Sequence, residues 1–162
     1  MSFVFQGFVY FCQLVPIFLL WTLTGYLAHR IAHLQFNYNL FRYFHLAHHT
    51  EVYPKSSNIP SWFNFLWVWE KWRMTGDAMM TETIPALLIT YYLPRYGLPI
   101  LVFHYFYEIF LSDGILDHNE NIKGPITKVF AIGEYHLKHH KRINGNYGIY
   151  ITLWDYVFGT NY

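Results

Sequence analysis

The chain begins with a long segment of apolar residues. Residues 1–28 carry no charge, and the 25 residues from Phe3 to Leu27 are mainly Phe, Val, Leu, Tyr and Trp. As an α-helix this stretch would extend about 37 Å at about 1.5 Å per residue, whereas a bilayer core is about 30 Å thick. The pattern therefore predicts a transmembrane helix over residues 1–28.

A second apolar region runs from Met79 to Leu111 and is interrupted by Pro-Arg-Tyr-Gly at 94–97. Each half is shorter than the roughly 20 residues that cross a bilayer comfortably. The pattern predicts a membrane hairpin over residues 79–111, either re-entrant or fully crossing, that returns the chain to its starting face. Inside it, His104 precedes Glu108 by one helical turn, which predicts a hydrogen-bonded pair rather than a metal ligand.

The remaining residues are more polar. Four tryptophans among charged residues at 62–72 predict an interfacial helix. The length of 162 residues suits one domain. We therefore expect an all-α integral membrane protein with a single domain over residues 1–162, in which residues 29–53 form histidine-rich helices and residues 112–162 form a histidine-rich C-terminal region.

The distribution of basic residues predicts an orientation. Arg30 and Arg42 follow the first apolar segment, and no basic residue precedes it. Because basic flanks favour the cytoplasmic side, the N-terminus is expected outside and His29 onward in the cytoplasm. The membrane would be the endoplasmic reticulum in a eukaryote or the inner membrane in a bacterium.

Histidine is the residue type that the apolar composition does not explain. The chain is 54% hydrophobic and 13% charged, yet it holds ten histidines. Eight of them form an HxxxH at 29–33 and an HxxHH at both 45–49 and 136–140. Positions three and four apart share one face of an α-helix, so each cluster can present its imidazoles in one direction. Three such clusters after a membrane span predict a metal site at the cytosolic face.

The number of histidines predicts two ions. A tetrahedral zinc site takes four ligands, fewer than the eight clustered histidines together with His118. Imidazole binds zinc, copper, iron and nickel alike, and an oxidative role favours iron because zinc is redox-inert. Cys12 is the single cysteine, which excludes a cysteine-based zinc site, and the net charge of +1 gives no case for nucleic acid.

Two other interpretations stay open. A zinc-dependent membrane hydrolase would be expected to carry a carboxylate base among its ligands, as in HExxH, and the three clusters contain no acidic residue. The other is a non-catalytic membrane metal-binding or scaffold protein.

The order of these motifs resembles that of the membrane fatty acid hydroxylase/sterol desaturase superfamily. The matching elements, spread from His29 to Thr160, are HRxxH at 29–33, HxxHH at 45–49, His118-Asn119, HxxHH at 136–140, NYG at 146–148 and WDxxFGT at 154–160. The resemblance implies a helical membrane fold and a non-haem di-iron centre at the cytosolic face. It further implies O₂-dependent hydroxylation or desaturation of a fatty acyl chain or sterol, with electrons from a cytochrome b5 or ferredoxin-like donor.

The resemblance also assigns roles to individual residues. The implied ligands of the two iron ions, or of zinc in a purified sample, are His29, His33, His45, His48, His49, His118, His136, His139 and His140. Asn119, Asn146 and Asp155 are candidates for hydrogen bonds that orient the imidazoles. Tyr147, Trp154 and Phe158 are expected to pack, and no catalytic residue is expected outside the ligands. Related chains often carry a further histidine where residues 50–103 have none, which leaves open whether His104 or water completes the second ion's ligand set.

Overall fold

The computed structural model describes residues 3–50, 60–69 and 71–162, and they confirm the all-α prediction. These residues form helices without a strand, apart from one isolated antiparallel bridge between Phe130 and Ile151. The α-helices are α1 (Phe3–Ala32), α2 (Leu40–His49), α3 (Trp72–Ala78), α4 (Ile84–Tyr92), α5 (Pro94–Phe110), α6 (Glu134–Lys141) and α7 (Leu153–Phe158). A π-helical turn, Met79–Thr83, joins α3 to α4, and short 3₁₀ turns cover Asn64–Leu66 and Pro125–Lys128.

Helix α1 is long and apolar enough to cross a membrane from Val4 to Ala32. Its N-terminal half turns large apolar side chains outward, among them Val4, Phe8 and Phe11. The helix continues past residue 28, so His29 lies in its last turn, and His33 follows directly after its end. The histidine-rich region therefore starts on the same rigid helix as the apolar span.

Helix α2 is folded back against the end of α1 by one asparagine. The Asn39 side chain accepts a hydrogen bond from Arg42 N–H as the N-cap of α2 and donates to the carbonyls of Ile31 and Leu34. N-cap side chains satisfy backbone donors that a helix leaves unpaired. This junction fixes the direction of α2 relative to α1 and brings their histidines together.

Helices α4 and α5 form a tight hairpin that packs against α1. Gly97 makes the approach possible, because a Cβ there would lie 2.4 Å from the Thr90 backbone. The buried core under the hairpin contains Trp21, Ala86, Ile100, Tyr107 and Tyr150. It joins the first helix, the hairpin and the C-terminal region in one unit.

The predicted interfacial helix over residues 62–72 is wrong. The described part of that segment contains only the 3₁₀ turn Asn64–Leu66, and α3 begins at Trp72. Trp67 adopts a left-handed backbone conformation with φ 56°, which ends a helix. The tryptophans reflect an irregular segment that packs beside α5, where Trp67 lies 5.1 Å from the Tyr105 ring.

The C-terminal region is fastened to α1. Trp154 Nε1 donates to Thr22 Oγ1 at 3.0 Å, and the Phe158 ring stacks on Tyr26 at 5.3 Å. The packing role expected for Trp154 and Phe158 is therefore what the structure shows. These contacts hold α7 against α1, one to two turns before His29.

Candidate metal centre

All nine histidines that the sequence indicated as ligands meet in two adjoining groups. Group A consists of His29, His33, His45, His49 and His139, and group B consists of His48, His118, His136 and His140. Within each group, one ring nitrogen of every member lies within 4.8 Å of those of the others. The groups touch where the His49 and His140 rings come within 4.4 Å of each other.

Each HxxHH motif serves both groups. His45 and His49, four apart on α2, belong to group A, whereas His48 belongs to group B. On α6 the assignment is reversed, since the pair at 136 and 140 lies in group B and His139 lies in group A. Successive helical residues are rotated by about 100°, so adjacent histidines cannot point at the same ion. Two facing HxxHH helices thereby divide their six imidazoles equally between two centres.

Hydrogen bonds at Nδ1 fix the tautomers of three group A histidines. His29 Nδ1 lies 2.8 Å from the Tyr147 carbonyl, and His139 Nδ1 lies 2.8 Å from the Gly145 carbonyl. A carbonyl only accepts, so both Nδ1 atoms carry the proton and donate it. His45 Nδ1 lies 3.0 Å from the Asp77 carboxylate. The Nε2 lone pairs of these rings are left free to face the centre of the group.

The free Nε2 atoms lie closer together than neutral imidazoles tolerate without a cation. His29 Nε2 and His139 Nε2 are 3.0 Å apart, although neither carries a proton to share with the other. Burial lowers the pKa of His139 to about 4, so the ring is neutral near pH 7. Two opposed lone pairs repel each other, and a metal ion bound between them would turn this arrangement into ligation.

The spacing of the donors fits metal ions of ordinary size. Neighbouring Nε2 atoms are 2.9–3.1 Å apart in group A and 3.0–3.3 Å apart in group B. Two imidazoles at right angles on an ion, each with a metal–nitrogen bond of about 2.1 Å, have nitrogens about 3.0 Å apart. The all-imidazole donor set suits iron, zinc, copper or nickel.

Burial keeps five further histidines of the two groups neutral as well. Burial, with a smaller contribution from neighbouring imidazoles, lowers the pKa of His33, His49 and His140 to about 2. The pKa values of His48 and His136 are also well below the usual value of histidine, mainly through burial. Metal ligation requires the deprotonated ring, so both groups are prepared to bind ions without first losing protons.

The groups that orient the imidazoles differ from those that the sequence indicated. Asp77 and the carbonyls of Gly145 and Tyr147 contact the rings directly. Asp77 lies 32 positions after its partner His45, and a lone acidic residue on another helix gives no motif that could reveal it. Backbone carbonyls leave no signal in a sequence at all.

Asn119, Asn146 and Asp155, the three residues proposed as imidazole partners, bond elsewhere. Asp155 accepts hydrogen bonds from the backbone N–H groups of Tyr147 and Gly148. Asn146 donates to the carbonyls of Tyr135 and Tyr162. Both residues therefore act on the imidazoles indirectly, by holding the loop whose Gly145 and Tyr147 carbonyls contact the rings.

Asn119 has a more local role. Its amide donates to the Ile115 carbonyl and its oxygen accepts from Asn121 N–H. These bonds shape the turn beside His118 without touching the ring.

The predicted direct pair of His104 with Glu108 is wrong. His104 Nε2 lies 2.8 Å from Thr83 Oγ1, and its Nδ1 lies 2.8 Å from the Tyr150 hydroxyl. Tyr150 stands between the two residues, since its hydroxyl also lies 3.4 Å from Glu108. The side chain of this tyrosine comes from a distant part of the chain, which the spacing of His104 and Glu108 could not reveal.

A cavity of about 120 Å³ opens beside both groups, with room for several water-sized molecules. Five histidines line it: His29 and His45 of group A, and His48, His118 and His136 of group B. Its other wall carries the carboxyl groups of Asp77, Glu82, Glu108, Asp113 and Asp117. The cavity gives a small reactant access to both sets of donors.

Comparison with known proteins agrees with this centre. The signature of the family described as fatty acid hydroxylase matches residues 14–160, nearly the whole chain. The chain belongs to the fatty acid hydroxylase family. Ornithine lipid hydroxylase OlsE of Rhizobium tropici is 29% identical over 143 residues, a match that covers 83% of this chain and 37% of that protein. No solved structure matches the chain.

Family membership supports a lipid-directed oxidoreductase with a helical fold and histidine clusters able to hold metal. The chain spans well under half the length of the ornithine lipid hydroxylase that it matches. The activity of that longer protein is therefore carried to this chain only as a proposal.

Proposed function

We propose that this chain is a non-haem di-iron oxygenase that hydroxylates a membrane lipid with O₂. The observation that supports it most is the convergence of nine imidazoles in two adjoining groups next to a cavity. Family membership supports hydroxylation of a lipid, and hydroxylation is preferred over desaturation because both matched names describe hydroxylases.

The residues of the chain supply orientation and shielding. Tyr147, Gly145 and Asp77 hold the Nδ1 sides of three rings, so their Nε2 atoms stay directed at the group A centre. Bound iron would supply O₂ activation and electron transfer. Positioning of one carbon of the lipid at the cavity would then decide whether the product is an alcohol or an alkene.

The lipid is proposed to reach the cavity from a bilayer. Helix α1 would cross it with the N-terminus outside, the α4–α5 hairpin would lie in it, and the metal centre would face the cytoplasm. The ornithine lipid hydroxylase suggests an acyl lipid with an amino-acid headgroup as the first substrate to test. A cytochrome b5 or ferredoxin-like protein would provide electrons.

The test combines metal analysis with lipid profiling. The purified protein should contain two iron ions per chain and consume O₂ when a chemical reductant and membrane lipids are present. Cells that express it should accumulate an oxidised lipid that is absent from cells expressing His136→Ala.

Lys138→Gln is the matched control, because this exposed side chain lies on the same helix and pairs with Glu134, which belongs to neither histidine group. Protein that binds zinc and never consumes O₂ when reloaded with iron would instead support the zinc or non-catalytic interpretation.

A further inference from the structure

A second buried polar cluster lies next to the metal centre. Tyr150 is its hub: the hydroxyl lies 2.8 Å from His104 Nδ1, 3.2 Å from Glu82 Oε2 and 3.4 Å from Glu108 Oε1. Glu82 and Glu108 also line the cavity that the histidine groups share. The cluster therefore connects the interior of the hairpin with the space beside the proposed iron ions.

The cluster is a hydrogen-bond network rather than a third metal site. Ring nitrogens and carboxylates of Glu82, His104 and Glu108 lie within 4.8 Å of one another, as in a ligand set. However, both ring nitrogens of His104 already have hydroxyl partners, Thr83 on one side and Tyr150 on the other. No lone pair of His104 is left to point at an ion between the carboxyl groups.

The hydroxyl and imidazole groups allow the protons of the network to point in either direction. Thr83 Oγ1 can donate to His104 or to the Ala78 carbonyl, which lies 3.1 Å away. In the first case His104 Nδ1–H donates to Tyr150, and in the second the Tyr150 hydroxyl donates to His104. A chain that reverses in this manner can pass a proton along its length and then reset.

The surroundings of Glu82 and Glu108 favour a shared proton. A carboxyl oxygen of Glu82 and one of Glu108 lie within 4.8 Å of each other, and two like charges this close in a buried site cannot both ionise. The titratable groups around them include Asp77 from α3, Tyr107 and His104 from α5, Asp113 and Asp117 from the following loop, and Tyr150. This set contains no lysine or arginine that would stabilise two carboxylates.

We propose that Glu82, Tyr150 and Glu108 form a proton relay that delivers protons to the cavity during lipid hydroxylation. The relay depends on the proposed function, whose balanced reaction is RH + O₂ + 2 e⁻ + 2 H⁺ → ROH + H₂O. The C–H bond and the O–O bond break, one oxygen atom enters the lipid, and the other leaves as water. The donor protein supplies the electrons, and the carboxyl pair passes the two protons to the cavity one at a time and regains each of them from solvent water.

Three conservative variants test the relay: Glu82→Gln, Glu108→Gln and Tyr150→Phe. Each should keep two iron ions per chain, because none of the three residues belongs to group A or group B. Turnover should fall by about 100-fold, the lower range for a positioned proton donor. Less alcohol should form per O₂ consumed, and the solvent deuterium isotope effect on turnover should increase.

Tyr105→Phe is the matched control for Tyr150→Phe. Tyr105 also loses only a hydroxyl, and that hydroxyl donates to the Phe65 carbonyl outside the network. In Tyr150→Phe the ring can keep its stacking on Trp21 at 4.7 Å, so loss of packing is not the expected cause of the effect.

A readout without metal completes the test. Infrared spectra of the metal-free protein should show the carbonyl stretch of a neutral carboxyl group that shifts in D₂O and is lost in Glu82→Gln or Glu108→Gln. Absence of this band would overturn the relay alone. The same holds if the variants form as much alcohol per O₂ consumed as the wild type and show the same solvent deuterium isotope effect. If the wild type held a third metal ion that His104→Ala lost, the cluster would be a metal site and the relay would be overturned. If the wild type oxidised no lipid, the proposed function would be overturned together with the relay.

Discussion

Group A and group B contain the same type of side chain, histidine, in different surroundings. In group A, four of the five histidines are buried, and carbonyls or a carboxylate hold three of them at Nδ1. In group B only His118 is buried, while three of its four members line the cavity. The comparison indicates that group A is the more rigid centre and that group B is the one more open to a reactant.

Removing one ligand from each group gives the largest expected effect. His139→Ala and His140→Ala should each abolish lipid oxidation, since an ion that lacks one imidazole is held less tightly and in a different geometry. Metal analysis should show lower iron content in both variants, and membrane insertion should be unchanged. His139→Ala should lose more iron, because His139 is completely buried and anchored to the Gly145 carbonyl.

Wild-type turnover in either variant contradicts the ligand assignment. Equal iron loss in both variants contradicts the difference in rigidity between the groups. Lys138→Gln again serves as the control on the same helix.

The carboxylates beside the two groups provide the next largest effect. Asp77 lies 3.0 Å from His45 with 15% of its side chain exposed, whereas Asp113 lies 3.6 Å from His118 with 37% exposed. Asp77→Asn should lower metal affinity or activity by about 10- to 100-fold, as is typical when a partner of a ligating histidine is lost. Asp113→Asn should have a smaller effect, because its contact is longer and better solvated.

For both variants, titration of the metal-free protein with iron measures the metal affinity, and the amount of oxidised lipid measures the activity. A larger loss in Asp113→Asn than in Asp77→Asn would reverse the proposed ranking of the two groups.

The sequence was sufficient to predict which histidines converge but not how they are grouped. Helical spacing identifies which histidines share a face, and all nine predicted ligands do converge. Spacing along one helix cannot show which helices meet, so the division of each HxxHH between two centres was not predictable. The cluster at 29–33 also departs from simple helical spacing. Helix α1 ends at Ala32, and His33 reaches the centre from the turn that Asn39 stabilises.

Acid should destabilise the metal-free protein through both groups. The folded state lowers the pKa of His139 from 6.5 to about 4, and lowers the pKa of His33, His49 and His140 from 6.5 to about 2. Between pH 6.5 and these lowered pKa values, the unfolded chain binds more protons than the folded one. The contribution of the histidines to the free energy of unfolding is therefore fully present above pH 6.5 and decreases as the pH falls below it. Chemical denaturation in detergent at a series of pH values measures this slope.

The slope should be shallower in a variant without His33 and His49. The slope should also be shallower in a variant without His136 and His140. The two double variants compare the contribution of group A with that of group B. A slope unchanged by both double substitutions would show that the buried imidazoles do not control acid stability.

The smallest effects separate two asparagines that the sequence placed in the same supporting role. Asn146→Ala should destabilise the protein by about 1–3 kcal/mol, because buried carbonyls lose a donor and because Asn146 has a φ of 53° that alanine tolerates poorly. Asn119→Ala should change stability by no more than about 0.5 kcal/mol, since the Asn119 side chain forms its hydrogen bonds within its own turn. Thermal unfolding of the metal-loaded proteins distinguishes them, and iron content should fall only in Asn146→Ala, where the loop that supplies the Gly145 and Tyr147 carbonyls is loosened. If Asn119→Ala lost iron instead, the Asn119 amide would have to contact His118 in the metal-bound wild type. The histidines of group B would then be held by neighbouring polar groups much as those of group A are.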